Sequence, residues 1–140
     1  MATARQFEDL SVWQESRQLV GAIYTASRQP SFNQDFGLRD QIRRAAVSTM
    51  SNIAEGFERG TRKEFVQFLN IAKGSNGEVR SQLYVALEQK YISEKEFAAL
   101  SEAAVLLSRK LSAFIHYLEG CAGNSRVRKP ATRNLQPATR

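Results

Sequence analysis

The chain has 140 residues with one cysteine and one histidine, which predicts a single domain and excludes an internal disulfide framework and a zinc site of soft ligands. Its hydrophobic fraction of 42% and charged fraction of 24% are typical of an ordinary globular protein, and its formal net charge is +6. No apolar run approaches the roughly 20 residues that span a bilayer and residues 1–8 lack a signal-peptide pattern, so we expect a cytoplasmic protein without membrane contact.

Start and stop signals divide the first 120 residues into four predicted helices, over 11–28, 36–58, 61–90 and 94–119. Three Ser or Thr residues stand three positions before a Glu or Gln, the spacing of a capping box, and an aspartate is placed to cap a fourth helix. Two glycines stand where helices are expected to end. In chain order the signals are Ser11 with Gln14, Asp35, Gly60, Thr61 with Glu64, Ser93 with Glu96, and Gly120.

Apolar residues recur at alternating steps of three and four along the third and fourth predicted helices. This heptad spacing predicts helices that cross at about 20°, and short connections make successive helices antiparallel. The predicted fold class is therefore all-α, an antiparallel up-down-up-down four-helix bundle over residues 1–120. The core positions of the third helix are Phe65, Leu69, Ala72, Asn76, Val79, Leu83 and Ala86.

A basic tail is predicted after the bundle. Residues 121–140 contain five bases, no acid and a repeated Pro-Ala-Thr-Arg, at 130–133 and 137–140, and a segment so poor in large apolar residues is expected to be disordered. It is either an extension without function or an arm for phosphate backbones. The first 120 residues keep 15 bases and 14 acids, so the folded body is almost neutral.

Basic side chains concentrate on the second and third predicted helices, with Glu55, Glu58, Glu64 and Glu78 among them. Glu55 and Arg59 are four residues apart and are expected to pair. The cluster is either a solvated surface of mixed charge or a patch that contacts nucleic-acid phosphates. Its candidate nucleic-acid-binding residues are Arg43, Arg44, Arg59, Arg62, Lys63, Lys73 and Arg80.

A second set of residues is a candidate for contacts between subunits. Small polar residues on the second helix permit close approach of a neighbour, either inside the bundle or between subunits. Large apolar residues beside the core positions indicate either wide core faces or burial against another copy. The candidates for a homo-oligomer interface are Trp13, Tyr24, Ser48, Ser51, Asn52, Glu55, Phe68 and Tyr84.

No catalytic, cofactor or metal site is predicted, and we expect no enzyme. The single histidine, His116, has no acid three residues before it, as a di-iron bundle would require, and it is expected at the surface. The segment Gly74-Ser75-Asn76-Gly77 lacks the Gly-Lys-Ser/Thr ending of a P-loop. Two glycines inside a helix cost about 1 kcal/mol each relative to alanine, so we expect a neighbouring helix to press against them.

Several segments, spread in order over about residues 7–119, form a recognisable set of motifs. They are Phe7-Glu8-Asp9-Leu10-Ser11-Val12-Trp13-Gln14, Arg43-Arg44-Ala45-Ala46-Val47-Ser48, Asn52-Ile53-Ala54-Glu55-Gly56, Lys63-Glu64-Phe65, Phe68-Leu69, Ala72-Lys73-Gly74-Ser75 and Glu78. These segments resemble the four-helix-bundle proteins encoded in intervening sequences of bacterial 23S ribosomal RNA genes. The sequence departs from the family pattern at Asn76-Gly77, where larger apolar residues are expected, and between Gln29 and Phe36.

The resemblance implies an all-α homopentamer in the cytoplasm, with no known enzymatic activity and no cofactor. The family is also similar to the accessory variability determinant of diversity-generating retroelements, a pentameric bundle that binds nucleic acid and a reverse transcriptase. Two hypotheses follow: a non-catalytic oligomer that binds RNA, DNA or a nucleic-acid enzyme such as a reverse transcriptase, or a scaffold whose partner is another protein and which binds no nucleic acid.

Overall fold

The computed structural model describes residues 4–121, which form helices and their connections without any strand. A short 3-10 turn, Phe7–Asp9, precedes five α-helices. They are α1 (Ser11–Ser27), α2 (Pro30–Gln34), α3 (Phe36–Arg59), α4 (Arg62–Glu88) and α5 (Glu94–Glu119). The four long helices confirm the predicted ones to within two residues at each end. Residues 122–140 of the predicted tail lie outside the described residues.

Helix α2 occupies the connection 29–35, for which no helix was predicted. It has only five residues and begins at Pro30, whose fixed φ suits the first helical position. Phe32 of α2 is 1% exposed and stacks on Tyr91, with 5.4 Å between ring centroids. The Tyr91 hydroxyl donates to Asp35 Oδ2 at 2.9 Å, and this bond to a carboxylate raises the pKa of Tyr91 above its ordinary value.

Most of the predicted helix ends are confirmed. Asp35, Thr61 and Ser93 each accept a backbone N–H from three residues later, at distances of 3.0–3.2 Å. Gly60 ends α3 with φ of 93°, a left-handed conformation that favours glycine.

The predicted cap at Ser11 is wrong. The residue that precedes the helix is Leu10, which has no side-chain acceptor, and Gln14 donates instead to the Glu8 carbonyl at 2.8 Å. The preceding 3-10 turn leads directly into α1, because Leu10 closes that turn with a bond to the Phe7 carbonyl and accepts the first α-helical bond from Gln14.

The four long helices form an antiparallel bundle in which α1 and α4 both pack against α3 and α5. Early residues of each helix meet late residues of the next, as up-down-up-down order requires. The contacts that fix this order are Gln41 with Gln82 and Ser48 with Ser75 for α3–α4, Phe65 with Phe114 and Tyr84 with Phe97 for α4–α5, and Glu15 with Lys110 for α1–α5.

One polar residue, Asn76, occupies a core position of α4. It is fully buried, and its Nδ2 donates to the Ala104 carbonyl of α5 at 2.7 Å, while its Oδ1 has no partner among residues 4–121. This is one of the two positions at which larger apolar residues were expected. The asparagine fits there because its amide bonds the facing helix, a device that fixes the register of a bundle at some cost in stability.

The expectation that a neighbouring helix presses against the glycines of α4 is wrong for this chain. A Cβ placed on Gly74 or Gly77 would meet no atom within 4 Å. The close approach occurs at Gly56 of α3 instead, where a Cβ would lie 2.7 Å from Phe68 Cβ. The small residue that allows α3 and α4 to pack closely is therefore Gly56.

Candidate functional site

Two of the seven candidate cations are held firmly by neighbouring helices. Arg43 donates from Nε to Ser27 Oγ at 2.8 Å and lies 4.5 Å from the centroid of the Tyr24 ring. Arg59 pairs with Glu64 at 3.2 Å and, as expected from the spacing, with Glu55 at 3.5 Å. These arginines stabilise the packing of α3 on α1 and the turn into α4, so their charges are already compensated or covered.

The turn between α3 and α4 is a small polar network. Glu64 accepts a hydrogen bond from the Thr61 hydroxyl at 2.9 Å as well as the bond from Arg59. These hydrogen bonds, first from Thr61 and then from Arg59, hold the pKa of Glu64 below its ordinary value of 4.5. Arg62 is half-buried beside this network, whereas Lys63 extends into solvent.

Four candidate cations keep their charge available. Arg44, Lys63, Lys73 and Arg80 are exposed, and within residues 4–121 their side chains form no hydrogen bond and no ion pair. Arg44 lines a groove of about 490 Å³ between α3 and α4, together with Glu78 and a set of small or polar residues. The groove is lined by Gln41, Arg44, Ala45, Ser48, Glu78, Ser81 and Gln82.

The small polar residues of α3 divide between two roles. Ser48 Oγ lies 2.9 Å from Ser75 Oγ of α4, and Asn52 Nδ2 donates to the Ser48 carbonyl at 2.8 Å. Ser48 therefore forms a polar contact between α3 and α4 inside the bundle, one of the two roles that the sequence left open, and Asn52 bonds Ser48 within α3. Ser51 and Glu55 are exposed on the outer side of α3.

The aromatic candidates for a subunit interface differ in exposure. Trp13 is 8% exposed and packs edge-to-face on Phe7 at 5.1 Å, so its burial needs no second subunit. Tyr24 and Phe68 are half-buried, beneath Arg43 and Arg59 respectively.

Tyr84 is the exception among these aromatic residues. It is 55% exposed on α4, and its ring centroid lies 4.9 Å from that of Phe97 on α5.

The structure exposes apolar residues that were not among the candidates. Phe36, Val47, Ile71, Val85 and Leu106 are each between 37% and 64% exposed. Ile71 and Val85 are 14 residues apart on α4 and point to the same side, because four turns of helix take about 14 residues. Two large apolar residues 14 positions apart and outside the core positions of α4 are the sequence signal that could have indicated this exposed pair.

Residues 4–121 contain neither a metal-binding cluster nor a membrane-spanning helix. No group of three His, Cys, Asp or Glu side chains is placed to hold a metal ion. None of the described helices is both long and apolar enough to cross a membrane. His116 is exposed near the end of α5.

The comparison with protein families decides the relationship of the chain. The family model described as "23S rRNA-intervening sequence protein" matches residues 8–113. The chain belongs to this family. The match covers the four helices of the bundle and confirms the resemblance drawn from the sequence.

A solved structure shows the same fold. A protein of unknown function from the S23 ribosomal protein family of Bacteroides thetaiotaomicron matches with a TM-score of 0.69 and 23% sequence identity, over 74% of this chain and 97% of that chain. No curated protein matches the sequence significantly. The solved structure thus has the same helical fold as this chain.

Proposed function

We propose that this protein is a non-catalytic, self-associating bundle of the cytoplasm that binds RNA or DNA through its folded body. The observation that carries the proposal is the set of four exposed cations on α3 and α4, Arg44, Lys63, Lys73 and Arg80, none of which has a partner within residues 4–121. Lys and Arg side chains without internal partners are free to bind nucleic-acid phosphates, and the counterions that this binding releases from the nucleic acid favour it. Arg43 and Arg59 are not part of this proposal, because the bundle uses them.

Self-association is the second part of the proposal. The outer face of α3 and α4, which we call the α3–α4 face, carries Ser51 of α3 and Ile71, Gly74 and Val85 of α4. Ile71 and Val85 are apolar and 42–48% exposed, and Gly74 leaves space for a close neighbour. Burial of such residues between identical subunits removes an exposed apolar surface, and closed rings are a usual way to achieve it.

The proposed assembly is a closed ring of five, the stoichiometry that the family resemblance implies. Each additional copy repeats, on one particle, the unpaired cations that lie outside the α3–α4 face, among them Lys73 and Arg80. Repetition converts a weak patch into a multivalent one, because after the first contact the remaining contacts form within one complex.

The assembly is tested by the mass of the full chain in solution. We expect a mass several times that of the 15.7 kDa chain in light scattering, and we expect Ile71→Glu to shift the protein toward the monomer because a charge would be buried at the interface. Leu106→Glu is the matched control, since Leu106 is 45% exposed but lies on α5, away from the α3–α4 face. A wild-type mass near that of one chain at micromolar concentration contradicts the proposed ring.

A scaffold that binds only proteins, for example a reverse transcriptase or another partner, is the second candidate. The near-neutral charge of the first 120 residues favours it, because 15 bases stand against 14 acids. The two functions separate in the full chain whose five tail bases are replaced by glutamine. We expect that variant to keep salt-dependent binding to nucleic acid, whereas loss of all affinity makes the bundle a scaffold and assigns the binding to the tail.

A further inference from the structure

The side of the bundle between α4 and α5, which we call the α4–α5 face, carries two exposed cations next to an exposed aromatic ring. It lies on the other flank of α4 from the α3–α4 face. Asn76 marks the direction of α5, because its amide bonds Ala104. Lys73 stands three residues before Asn76, and Arg80 stands four residues after it. Both side chains therefore leave α4 within about 60° of the direction of α5, on the solvent side of that direction. They are about 10 Å apart along the helix.

The acids nearest in sequence point away from this row. Glu78 is two residues after Asn76, so it lies about 160° round α4, and it lines the groove with Arg44 on the other side of the helix. Glu102 is two residues before Ala104, so it lies about 160° round α5 from the contact. Neither of these two carboxylates therefore lies beside Lys73 and Arg80. Glu88, one turn beyond Tyr84, is the nearest acid on this side of α4.

The floor between the two cations is open. Gly77 lies between Lys73 and Arg80, and a Cβ placed on it would meet no atom within 4 Å. Across from it, half-buried Ser101 and Ser108 stand one turn on either side of Ala104 on α5. A chain that lies along this face can approach the helix backbone closely and meets hydroxyl groups on the opposite wall.

An exposed aromatic ring ends the row. Tyr84 follows Arg80 by four residues, one turn further along the same side, and it is 55% exposed while one side of it packs on Phe97. An exposed aromatic ring offers a surface on which an unpaired base stacks. A base in a duplex is already stacked on its neighbours, so this feature distinguishes single strands from duplexes.

We infer that the α4–α5 face is a binding site for single-stranded nucleic acid. Lys73 and Arg80 bind successive parts of its phosphate backbone across the open floor at Gly77, and Tyr84 stacks on one base. This inference rests on the proposed function and narrows it to one face and one strand state. It assigns Tyr84 to the nucleic acid rather than to a contact between subunits.

The test compares full-length variants for binding to a labelled single-stranded oligonucleotide of mixed sequence and to its duplex, by fluorescence anisotropy. We expect the double variant Lys73→Gln/Arg80→Gln to lose about tenfold or more in affinity at low salt, and its salt slope to fall by about 0.7 for each replaced cation. Tyr84→Leu is expected to lose about fivefold or more, and Tyr84→Phe to stay close to wild type. Lys95→Gln/Arg109→Gln is the matched control, because it removes the same charge from exposed residues elsewhere on α5.

Each contrary result has a distinct meaning. If the wild type binds but the Lys73/Arg80 variant matches the Lys95/Arg109 control, the α4–α5 face is not the site. The proposed function then stands only if the variant without tail bases also binds. If the duplex binds as tightly as the single strand, or Tyr84→Leu has no effect, the assignment to single strands is overturned. If the wild type binds neither nucleic acid, the inference and the proposed function both fail. Thermal melting of each variant establishes that a loss of binding is not a loss of fold.

Discussion

Replacing Gly56 with alanine is expected to destabilise the bundle by about 1–3 kcal/mol, although alanine is the better helix former. The added Cβ would lie 2.7 Å from Phe68 Cβ, 3.0 Å from Phe65 Cδ1 and 3.3 Å from the Phe65 carbonyl oxygen. Phe68 Cβ is bonded directly to the backbone of α4 and the Phe65 carbonyl oxygen belongs to it, so no rotation of a side-chain end relieves these two contacts. The two helices must move apart, and core contacts such as that between Phe57 and Phe65 are loosened.

The measurement is the midpoint of urea unfolding, compared with that of Gly21→Ala. Gly21 lies in the middle of α1, and a Cβ there would meet nothing within 4 Å. Its replacement should raise stability by up to about 1 kcal/mol, from helix propensity alone. Opposite shifts of the two midpoints, with unchanged denaturant dependence, support close packing at Gly56. A rise in both midpoints contradicts it.

Asn76→Asp is expected to have the largest effect on stability, a loss of about 3 kcal/mol or more at neutral pH. The side chain of Asn76 is fully buried, and the only hydrogen bond that it forms within residues 4–121 is donated by Nδ2 to the Ala104 carbonyl. An ionised carboxylate has no hydrogen to donate and would place negative charge against that carbonyl oxygen. No cation is among the groups that bond it, so the buried charge stays uncompensated.

Asn70→Asp provides the control for this substitution on the same helix. Asn70 is exposed, and its Nδ2 donates to the Val66 carbonyl at 3.0 Å within its own helix. The same chemical change there should alter the free energy of unfolding by no more than about 0.5 kcal/mol. Equal losses for the two variants would mean that the Asn76 side chain is not buried against α5.

The sequence predicts the bundle well because the signals for its helices, namely capping residues, terminal glycines and heptad spacing, act over a few residues and recur along the chain. Thr61 and Ser93 cap their helices with side chains only three residues from the bonded N–H, and Gly60 ends α3 by its own backbone conformation. Helix α2 is the exception, since five residues are too few to show a helical period. The cap at Ser11 fails for a related reason, because the 3-10 turn before α1 makes Leu10 the capping residue in place of Ser11.

The candidate site is less predictable because it depends on contacts between distant helices. Arg43 and Arg44 are neighbours in sequence, yet they point about 100° apart on α3. Arg43 therefore meets Tyr24 and Ser27 of α1, whereas Arg44 remains exposed. Nothing in the sequence near these arginines shows that Ser27 lies across from one of them, so the available cations emerge only from the packed bundle.

The same limit applies to the glycines of α4. Their helical position suggests a tight helix contact, and a sequence cannot show which side of α4 lacks a neighbour. In the structure Gly74 and Gly77 lie only about 60° apart round α4, with Gly74 nearer the α3 side and Gly77 nearer the α5 side, and neither meets a neighbouring helix. Self-association on the α3 side and nucleic-acid binding on the α5 side are both proposals that follow from this arrangement.

Binding of nucleic acid by the folded body is tested most directly by the salt dependence of single-strand binding, measured on the full chain with its five tail bases replaced by glutamine. If the folded body binds nucleic acid, log K falls linearly with log salt, with a slope of about −0.7 for each phosphate contacted. Contacts from Lys73 and Arg80 alone predict a slope of about −1.4 per chain. Binding no tighter than that of a neutral control protein at low salt, with no dependence on salt, would mean that the folded body does not bind nucleic acid.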